Sequence, residues 1–360
     1  LRDFYSDGAD RSVHRIGNNE KRSNLFSSLI YRIIRKFKDM KLKSLLHHII
    51  MWILLAGSLL MTSCDSFNED LPECRLYVKF KYDYNMLFAD AFHTQVDKVE
   101  LYVFDKDGKY LFKQAEEGSA LSTGSYLMVV ELPVGEYQFM AWAGARDSYD
   151  ITSLQAGSSS IEDLKLQLKR EESLIIDKEL EPLWYGEINN VTFTGTTNQT
   201  EVINLIKDTN KVRFVFQGSN EDSWGVDVHA YNYEIIESNG YLAHDNSLLE
   251  DDNLSYRPYH IEQKNLAAGI VELNTMRFLE DRNARFVVTE KATGKKVFNI
   301  NLTDFLVMTK IEGHNMSAQE YLDRESEYKI VFFFADNDPW LALRININGW
   351  TWYFQTEGGL

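Results

Sequence analysis

The sequence predicts an all-β fold made of two tandem β-sandwich domains. Three observations support this prediction: apolar residues alternate with a period of two through many short segments, Gly and Pro turn signals separate those segments, and helical patterns are sparse. Many short strands at regular spacing are typical of β-sandwiches. The chain of 360 residues has room for two, which we place at residues 74–200 and 201–360, divided near the Thr/Asn-rich stretch TGTTNQT.

The first predicted strand follows Cys74. In CRLYVKFKYDY, the apolar residues Leu76, Val78 and Phe80 alternate with more polar ones, as in a half-buried strand. Cys74 is most simply a small apolar residue at the start of this strand.

Turn signals predict the connections between the later strands. Gly108, Gly240 and Gly294 follow Asp, Asn and Thr between strand-like segments, and Gly adopts the positive φ of tight hairpin turns without steric cost. Pro133 and Gly135 mark a further turn. Two segments break the β pattern: residues 317–326 (SAQEYLDRES) predict a short helix, and residues 161–170 (IEDLKLQLKR) are compatible with a helix or a strand.

A secretion signal precedes the predicted domains. The segment MKLKSLLHHIIMWILLAGSLLMTSC places Lys41 and Lys43 before an apolar core, and small residues before Cys64. As a helix, a core of about 13 residues reaches only ~20 Å, short of the ~30 Å hydrocarbon layer of a membrane. We therefore interpret residues 40–63 as a signal peptide rather than a transmembrane helix.

Cys64 is the predicted lipidation site. A Cys directly after small residues is similar to the substrate of a bacterial lipoprotein signal peptidase, where diacylglycerol is attached to the thiol and cleavage makes this Cys the new N-terminus. The polar stretch DSFNEDLPE supplies a flexible spacer, so residues 64–73 form a lipidated tether. Residues 1–39 lack an initiator Met, and we interpret them as upstream translation, with Met40 as the expected start.

The charge distribution argues against a nucleic-acid partner. Through Ser63 the chain has 11 Lys and Arg against 5 Asp and Glu, of 38 and 54 in the whole sequence. The remainder has 27 against 49, a net charge of −22. Binding nucleic acid requires clustered basic residues that displace counterions, and no basic stripe follows residue 43.

The sequence carries no catalytic motif that we recognise. It has no HExxH pattern, no G-x-S-x-G elbow and no P-loop. VFDKDGKY is a poor calcium loop because Val103 stands where the first carboxylate ligand belongs. With Cys64 acylated, Cys74 can form neither an intramolecular disulfide nor a two-Cys metal site. We therefore expect a protein that is not an enzyme and has no cofactor apart from the covalent acyl lipid on Cys64.

Seven motifs follow one another along the expected mature chain. They are LPVGEYQFMAWAG (132–144), PLWYGE (182–187), DTNKVRFVF (208–216), YEIIESNGYLAHDN (233–246), NTMRF (274–278), QEYLDRESEYKIVFFF (319–334) and ININGW (345–350). Each motif alone is weak, but in this order they resemble the minor-fimbrium anchoring-subunit family of Bacteroidales, the lipoproteins at the base of type V pili.

The resemblance implies two transthyretin-like Greek-key sandwiches and a lipid-anchored location in the outer membrane, as part of a fimbrium at the cell surface. It implies fimbrial stalk subunits as partners, joined by strand addition, in which main-chain hydrogen bonds give affinity. An anchor takes part in only one such junction. As a possible assembly strand we single out the alternating residues of the last predicted strand region, which could instead pair within their own sheet: Ile345, Ile347, Trp350, Trp352 and Phe354.

Two alternatives remain open at this point. The first is a surface glycan-binding lipoprotein, in which Trp and Tyr rings stack on sugars. The second is a fimbrial tip or adhesin subunit of the same fold. Exposed coplanar aromatic rings would favour glycan binding, whereas an open sheet edge without an aromatic cleft would favour a fimbrial role.

Overall fold

The computed structural model describes residues 32, 49–53, 74–218, 225–308, 315–335 and 338–353. The chain divides into two units, Leu1–Pro72 and Glu73–Leu360. In the first unit, residues 49–53 are helical and exposed, and they belong to the apolar core of the predicted signal peptide. Within the described residues, no helix combines the length and the apolar character that crossing a membrane requires.

The second unit consists mainly of β-strands, which confirms the predicted all-β class. Its first ten strands are β1 (Leu76–Lys81), β2 (Lys98–Asp105), β3 (Tyr110–Glu117), β4 (Met128–Val130), β5 (Gly135–Ala143), β6 (Tyr149–Ile151), β7 (Leu166–Leu168), β8 (Ile175–Ile176), β9 (Trp184–Phe193) and β10 (Gln199–Lys207). The following strands are β11 (Thr209–Gly218), β12 (Tyr231–Glu237), β13 (Tyr241–Leu242), β14 (Leu254–Tyr256), β15 (His260–Asn265), β16 (Ala268–Met276), β17 (Arg285–Glu290), β18 (Lys296–Asn301), β19 (Glu327–Ala335), β20 (Asp338–Ile347) and β21 (Trp350–Tyr353). Short helices are α1 (Phe92–Gln95), α2 (Leu302–Met308) and α3 (Ala318–Arg324).

The first sheet has seven strands in the order β3-β2-β5-β9-β10-β1-β4. Burial alternates along β1, where Leu76, Val78 and Phe80 are at most 1% exposed, as the sequence pattern predicts. These side chains form an apolar core with residues of the other six strands. The opposite face carries Tyr102 and Trp142, which pack into a second, larger core. The middle of this sheet is therefore buried on both faces.

Amide side chains donate hydrogen bonds across the first sheet at places where backbone pairing between its strands stops. Backbone pairing of β9 with β10 covers only three residue pairs. Farther along, Asn189 Nδ2 donates to the carbonyl oxygen of Val202 at 2.6 Å. Between the outer strands β3 and β4, Gln114 Nε2 donates to the carbonyl oxygen of Val129 at 3.0 Å. The sheet is thus rolled so that its two edge strands approach each other, and side chains make the bonds where strand pairing stops.

Two further sheets form a second sandwich. One has six strands in the order β15-β16-β11-β19-β20-β21, and the other has five in the order β18-β17-β12-β14-β8. Phe214 of β11 stacks on Phe286 of β17 with ring centroids 3.8 Å apart. Phe298 of β18 makes an edge contact with Phe332 of β19 at 4.9 Å. The two sheets therefore face each other across an aromatic core.

The domain boundary that we predicted at residue 200 needs correction. This residue lies inside β10, which pairs with β1 in the first sheet and ends at Lys207. The Thr/Asn-rich stretch connects β9 to β10 and is not a linker between domains. Moreover, β7 pairs with β13 and β8 with β14, so the first half of the chain supplies strands to the second. The existence of two independent domains stays a prediction.

The local predictions had different outcomes. The hairpins at Gly108 and Gly294 are confirmed, since β2 pairs with β3 and β17 with β18 and both glycines have positive φ, 75° and 70°. The helix predicted within residues 317–326 is α3. Residues 161–170 contain a single 3-10 turn at Ile161–Asp163 and then β7. The strands that flank Gly240, β12 and β13, lie in different sheets and form no hairpin.

Candidate functional site

The described part of the second unit begins where the predicted tether ends. Cys74 is half-buried against the first core, as expected for a small apolar residue, and its thiol is free. The backbone N–H of Arg75 donates to Oδ1 of Asn198 at 2.9 Å. The chain enters β1 at the next residue, so the tether continues directly into a core strand. Cys64, the predicted lipidation site, lies outside the described residues.

Strand β1 is held along both of its edges. It pairs in parallel with β10 through six residue pairs, from Leu76 opposite Gln199 to Lys81 opposite Asn204. It also pairs antiparallel with β4 through three residue pairs. On its buried face, Phe80 contacts the ring of Phe92 in α1, with centroids 5.8 Å apart. Over the length of β4, β1 therefore has no free edge on which a strand from another molecule could add.

The LPVG turn lies at the same end of the first sheet as the start of β1, because the start of β1 pairs with the end of β4. Val134 in this turn is 67% exposed. Tyr137 Oη donates to the carbonyl oxygen of Pro133 at 2.9 Å. A Cβ at Gly135 would lie 3.0 Å from that hydroxyl, so Gly leaves room for the Tyr side chain. The first motif thus encodes an exposed turn fixed by a tyrosine.

A buried polar cluster surrounds the single residue between β10 and β11. Asp208 is fully buried; its N–H donates to the carbonyl oxygen of Leu183 at 2.8 Å, and its Oδ1 accepts from Nδ2 of Asn246 at 2.9 Å. Arg277 donates from Nη1 to the carbonyl oxygen of Asn246 at 3.0 Å and from Nη2 to Oδ1 of Asp323 at 2.7 Å. Burial raises the pKa of Asp208 to about 7, against the opposing effects of Arg277 and the Asn246 bond.

Asparagine amides extend this cluster to the ends of neighbouring strands. Asn210 Nδ2 donates to the carbonyl oxygen of Met276 at 3.2 Å, and Asn274 Nδ2 donates to that of Asn210 at 3.3 Å. Asn239 Nδ2 donates to the carbonyl oxygens of Met276 at 3.2 Å and Arg277 at 2.9 Å. These bonds satisfy buried backbone groups where strand pairing ends. They also explain why Asn239 is no hairpin residue, since its side chain is bound to another sheet.

We call this cluster the polar junction. Its members are Asp208, Asn210, Asn239, Asn246, Asn274, Arg277 and Asp323. They come from four of the seven motifs, at 208–216, 233–246, 274–278 and 319–334, yet no sequence pattern brings them together. The available signal was the presence of Asp and Asn at the ends of apolar strands. The polar junction joins strands that are far apart in sequence, which is a structural role rather than a catalytic one.

The predicted assembly strand pairs within its own sheet in the structure. Ile345 and Ile347 of β20 are fully buried, and β20 lies between β19 and β21. The backbones of Trp350 and Trp352 in β21 pair with those two isoleucines, and Phe354 lies outside the described residues. Within the described part of the chain, β21 is the last strand of the six-stranded sheet. A role of this edge in assembly stays a prediction.

The described aromatic side chains offer little support for a sugar-stacking face. Trp142 and Trp184 are at most 1% exposed. From residue 74 onward, Phe88 is the one described aromatic side chain in the exposed class, at 49%. The Arg324 guanidinium lies over its ring, 4.5 Å from the centroid. The described residues thus contain no set of exposed coplanar rings.

These features define a class of protein: an all-β chain whose first strand is built into its own sheet and whose last described strand lies at a sheet edge. The chain belongs to the family described as Fimbrillin-A associated anchor proteins Mfa1 and Mfa2, whose model matches residues 71–356. The resemblance inferred from the seven motifs is therefore confirmed. Fimbrial anchor proteins of this kind are structural subunits, and this chain is a fimbrium-associated protein of the same family.

Individual relatives agree with this assignment. The minor fimbrium anchoring subunit Mfa2 of Porphyromonas gingivalis is 23% identical over 327 residues, which covers 88% of this chain and 97% of the relative. A solved structure from Bacteroides thetaiotaomicron, provisionally named a polysaccharide-binding protein, is 68% identical with a TM-score of 0.76 and covers 79% of this chain and 99% of its own. A solved structure from Bacteroides ovatus, provisionally named an adhesin, is 28% identical with a TM-score of 0.70. The match covers 81% of this chain and 99% of that structure.

Proposed function

We propose that this protein is an outer-membrane lipoprotein that anchors a fimbrium at the cell surface and caps its base. One observation carries the proposal: β1, which directly follows the predicted tether, is buried and paired on both edges. Assembly by strand addition needs a free sheet edge in the accepting subunit. In this protein β1 itself fills the place between β10 and β4. A strand from a further subunit therefore cannot add there, and the fibre ends at this protein.

The proposed attachment to the membrane is the acyl lipid on Cys64. Residues 64–73 span at most ~36 Å when fully extended, so the tether would hold the folded part near the membrane surface. The net charge of −22 after Ser63 gives little attraction to anionic headgroups. A single acyl chain binds membranes only marginally, whereas two chains anchor stably. The diacylglycerol group would therefore supply the attachment.

The proposed contact with stalk subunits is of the strand type, at the edge formed by β21. An edge strand presents unpaired N–H and C=O groups to a partner. The name of the P. gingivalis relative, a minor fimbrium anchoring subunit, supports both the anchoring role and a fimbrial partner. Of the five candidate residues, Trp350 and Trp352 lie in β21, whereas Ile345 and Ile347 lie in β20, between β19 and β21, and Phe354 lies outside the described residues.

The lipid attachment is tested by a matched pair of cysteine variants. We expect Cys64→Ala to move the folded protein from the outer-membrane fraction to the periplasm or medium, because its anchor is lost. Cys74→Ala is the control and should stay in the membrane fraction, since Cys74 packs against the core. Fractionation and immunoblotting measure both. Membrane retention of the Cys64→Ala variant would show that lipidation of Cys64 is not the anchor.

The anchoring role is tested with a tagged copy in the native cell. Outer membranes are solubilised, the tagged protein is captured, and its partners are identified by mass spectrometry, while the deletion strain is examined by electron microscopy. We expect fimbrial stalk subunits among the partners and shed fibres in the medium of the deletion strain. Unchanged fibres and no fimbrial partner would contradict the anchor proposal. Gold labelling at the free end of the fibre would instead indicate a tip or adhesin subunit.

Glycan binding is the alternative function, and the name of the B. thetaiotaomicron relative supports it. One observation favours it here: a concavity of about 430 Å³ is lined by eight residues between Lys169 and Lys178. Arg170 lines it, donates from Nη1 to Oδ1 of Asp251 at 2.6 Å, and has a buried Nη2 without a hydrogen-bond partner. The test is whether the purified protein binds a polysaccharide and whether Arg170→Ala loses this binding. If both are observed, and the capture experiment finds no fimbrial partner, the function is glycan binding.

A further inference from the structure

The direction of β1 relative to β10 determines how a pull on the tether would act on the fold. The two strands are parallel, and the start of β1 lies opposite the start of β10, with Leu76 beside Gln199. The tether therefore joins the first sheet at the end where β10 begins. Strand β10 ends at Lys207, at the opposite end of the same sheet.

The connections to the second sandwich all leave from that opposite end. Strand β5 ends there at Ala143, which pairs with Trp184 at the start of β9. Trp184 in turn pairs with Lys207 at the end of β10. From Lys207 the chain passes through Asp208 alone into β11. A force between the tether and the second sandwich would thus run along the strands of the first sheet, from one end to the other.

Such a force shears β1 against its neighbours. The hydrogen bonds between strands run across the strand direction, so a pull along β1 loads all of them together instead of opening them one by one. Six residue pairs with β10 and three with β4 share this load. The buried side chains Leu76, Val78 and Phe80 would have to leave the core in the same step.

The far end of β1 is also fixed. The N–H of Tyr82 donates to Oδ1 of Asp90 at 3.0 Å, and the carbonyl oxygen of Tyr82 accepts from the N–H of Ala91 at 2.9 Å. Arg324 of α3 donates from Nη1 to the carbonyl oxygen of Asp83 at 3.3 Å. A pull on the N-terminal end of β1 therefore acts on a strand whose other end is bonded to Asp90 and Ala91, which precede α1, and to Arg324 of α3.

We propose that β1 is a mechanical latch, which transmits tension from the membrane tether to the second sandwich by shear against β10 and β4. This role rests on the proposed anchoring function, because only a tethered fimbrial anchor is pulled in this way. The latch itself is a property of the isolated protein. It can therefore be tested without fimbriae. The experiments on the latch and on the anchoring function are independent, so that a failure of one is distinguished from a failure of the other.

The test is single-molecule force spectroscopy on the full chain with Cys64→Ala, so that Cys74 is the native thiol available for one handle. Leu266→Cys, at an exposed turn of the second sandwich, provides the other handle. The control carries Cys64→Ala, Cys74→Ala, Leu87→Cys and Leu266→Cys, so that the force enters after β1. We expect the first rupture at a clearly higher force with the Cys74 handle. Its length gain should be on the order of 80 Å, the chain up to β2 at ~3.4 Å per residue.

A reversible lock makes the test specific for β1. Lys79 and Val202 are exposed and opposite each other in β1 and β10, so the pair Lys79→Cys and Val202→Cys is designed to form a disulfide across the two strands. After oxidation has closed this pair, we expect the ~80 Å step to disappear, and reduction to restore it. Thermal unfolding checks that the variant is folded. If that variant does not fold, the comparison of handles decides.

Equal rupture forces with both handle pairs would overturn the latch. A step that persists in the oxidised double-cysteine protein would also overturn it. If the latch is found but the capture experiment yields no fimbrial subunit, the anchor proposal fails while the mechanical property stands. If fimbrial subunits are captured but β1 gives way without resistance, the anchor stands and the latch is wrong.

Discussion

The first and the last described strands of the second unit differ in the number of strands that pair with them. Strand β1 has neighbours on both edges and three side chains in the core, whereas β21 has one neighbour and lies at the edge of its sheet. These two strands of the same unit thus have opposite properties. The difference indicates that β1 is closed to strand addition over the length of β4, whereas β21 is an edge strand among the described residues.

The largest expected effect on stability comes from truncating a side chain on the buried face of β1. We expect Phe80→Ala to lower the free energy of unfolding by about 3–5 kcal/mol, since it removes a buried ring and leaves a cavity. Lys79→Ala on the exposed face of the same strand is the control and should change stability by less than about 0.5 kcal/mol. Urea unfolding measures both. Similar effects of the two substitutions would mean that β1 is not a core strand.

The second effect concerns the polar junction and depends on pH. The pKa of Asp208 is raised from 3.8 to about 7 in the folded protein, so its protonated carboxyl stabilises the fold at low pH. This contribution is complete below pH 3.8 and is lost as the pH rises through 7. The loss is on the order of 4 kcal/mol, at roughly 1.36 kcal/mol per pKa unit.

We therefore expect Asp208→Asn to flatten the fall in stability between pH 4 and pH 8, because an amide does not titrate there. Denaturant unfolding at several pH values measures this slope. The control Asp252→Asn changes an exposed carboxylate and should keep the slope of the unmodified protein. Parallel curves for Asp208→Asn and the unmodified protein would contradict the buried titration.

A matched pair of proline substitutions compares β1 and β21 directly. Lys79 and Thr351 are both exposed strand residues. Pro removes a ladder donor and is tolerated mainly on edge strands, so we expect Lys79→Pro to cost about 1–3 kcal/mol more than Thr351→Pro. The shift of the urea midpoint measures the difference. Equal costs would show that β21 is integrated into the fold as firmly as β1.

The smallest expected effect is at the LPVG turn. Tyr137→Phe removes the hydrogen bond to the carbonyl oxygen of Pro133 and should lower stability by about 1 kcal/mol, as for an ordinary hydrogen bond. Tyr77→Phe, in a half-exposed position of β1, serves as the control. A loss well above this value would indicate that the turn supports the start of β1.

The sequence was informative where structure is set by near neighbours. Alternation predicted β1, and the glycines at 108 and 294 predicted hairpins, because the residues that form a hairpin are adjacent in the chain. The segment 161–170 left two possibilities open, and the structure contains a 3-10 turn followed by a strand. Local patterns were sufficient for the fold class and for these turns.

Contacts between distant segments could not be predicted in this way. Asn239 looks like a turn residue, yet its amide binds carbonyl oxygens of Met276 and Arg277. The boundary at residue 200 was wrong in position because a polar loop between two paired strands resembles a linker in composition. Each member of the polar junction is inconspicuous on its own, and only the packing of the strands brings Asp208 near Arg277 and Asp323.

The parallel pairing of β1 with β10 also has a consequence for folding. Arg75 and Asn198, which are bonded at the start of this pair, are 123 positions apart in the chain. A chain that is synthesised from its N-terminus presents β1 long before its partner, and such distant contacts close late. Until β10 arrives, the apolar face of β1 has no core to enter. The first strand of the second unit would thus be among the last to find its place, and chaperones would have to protect it during that interval.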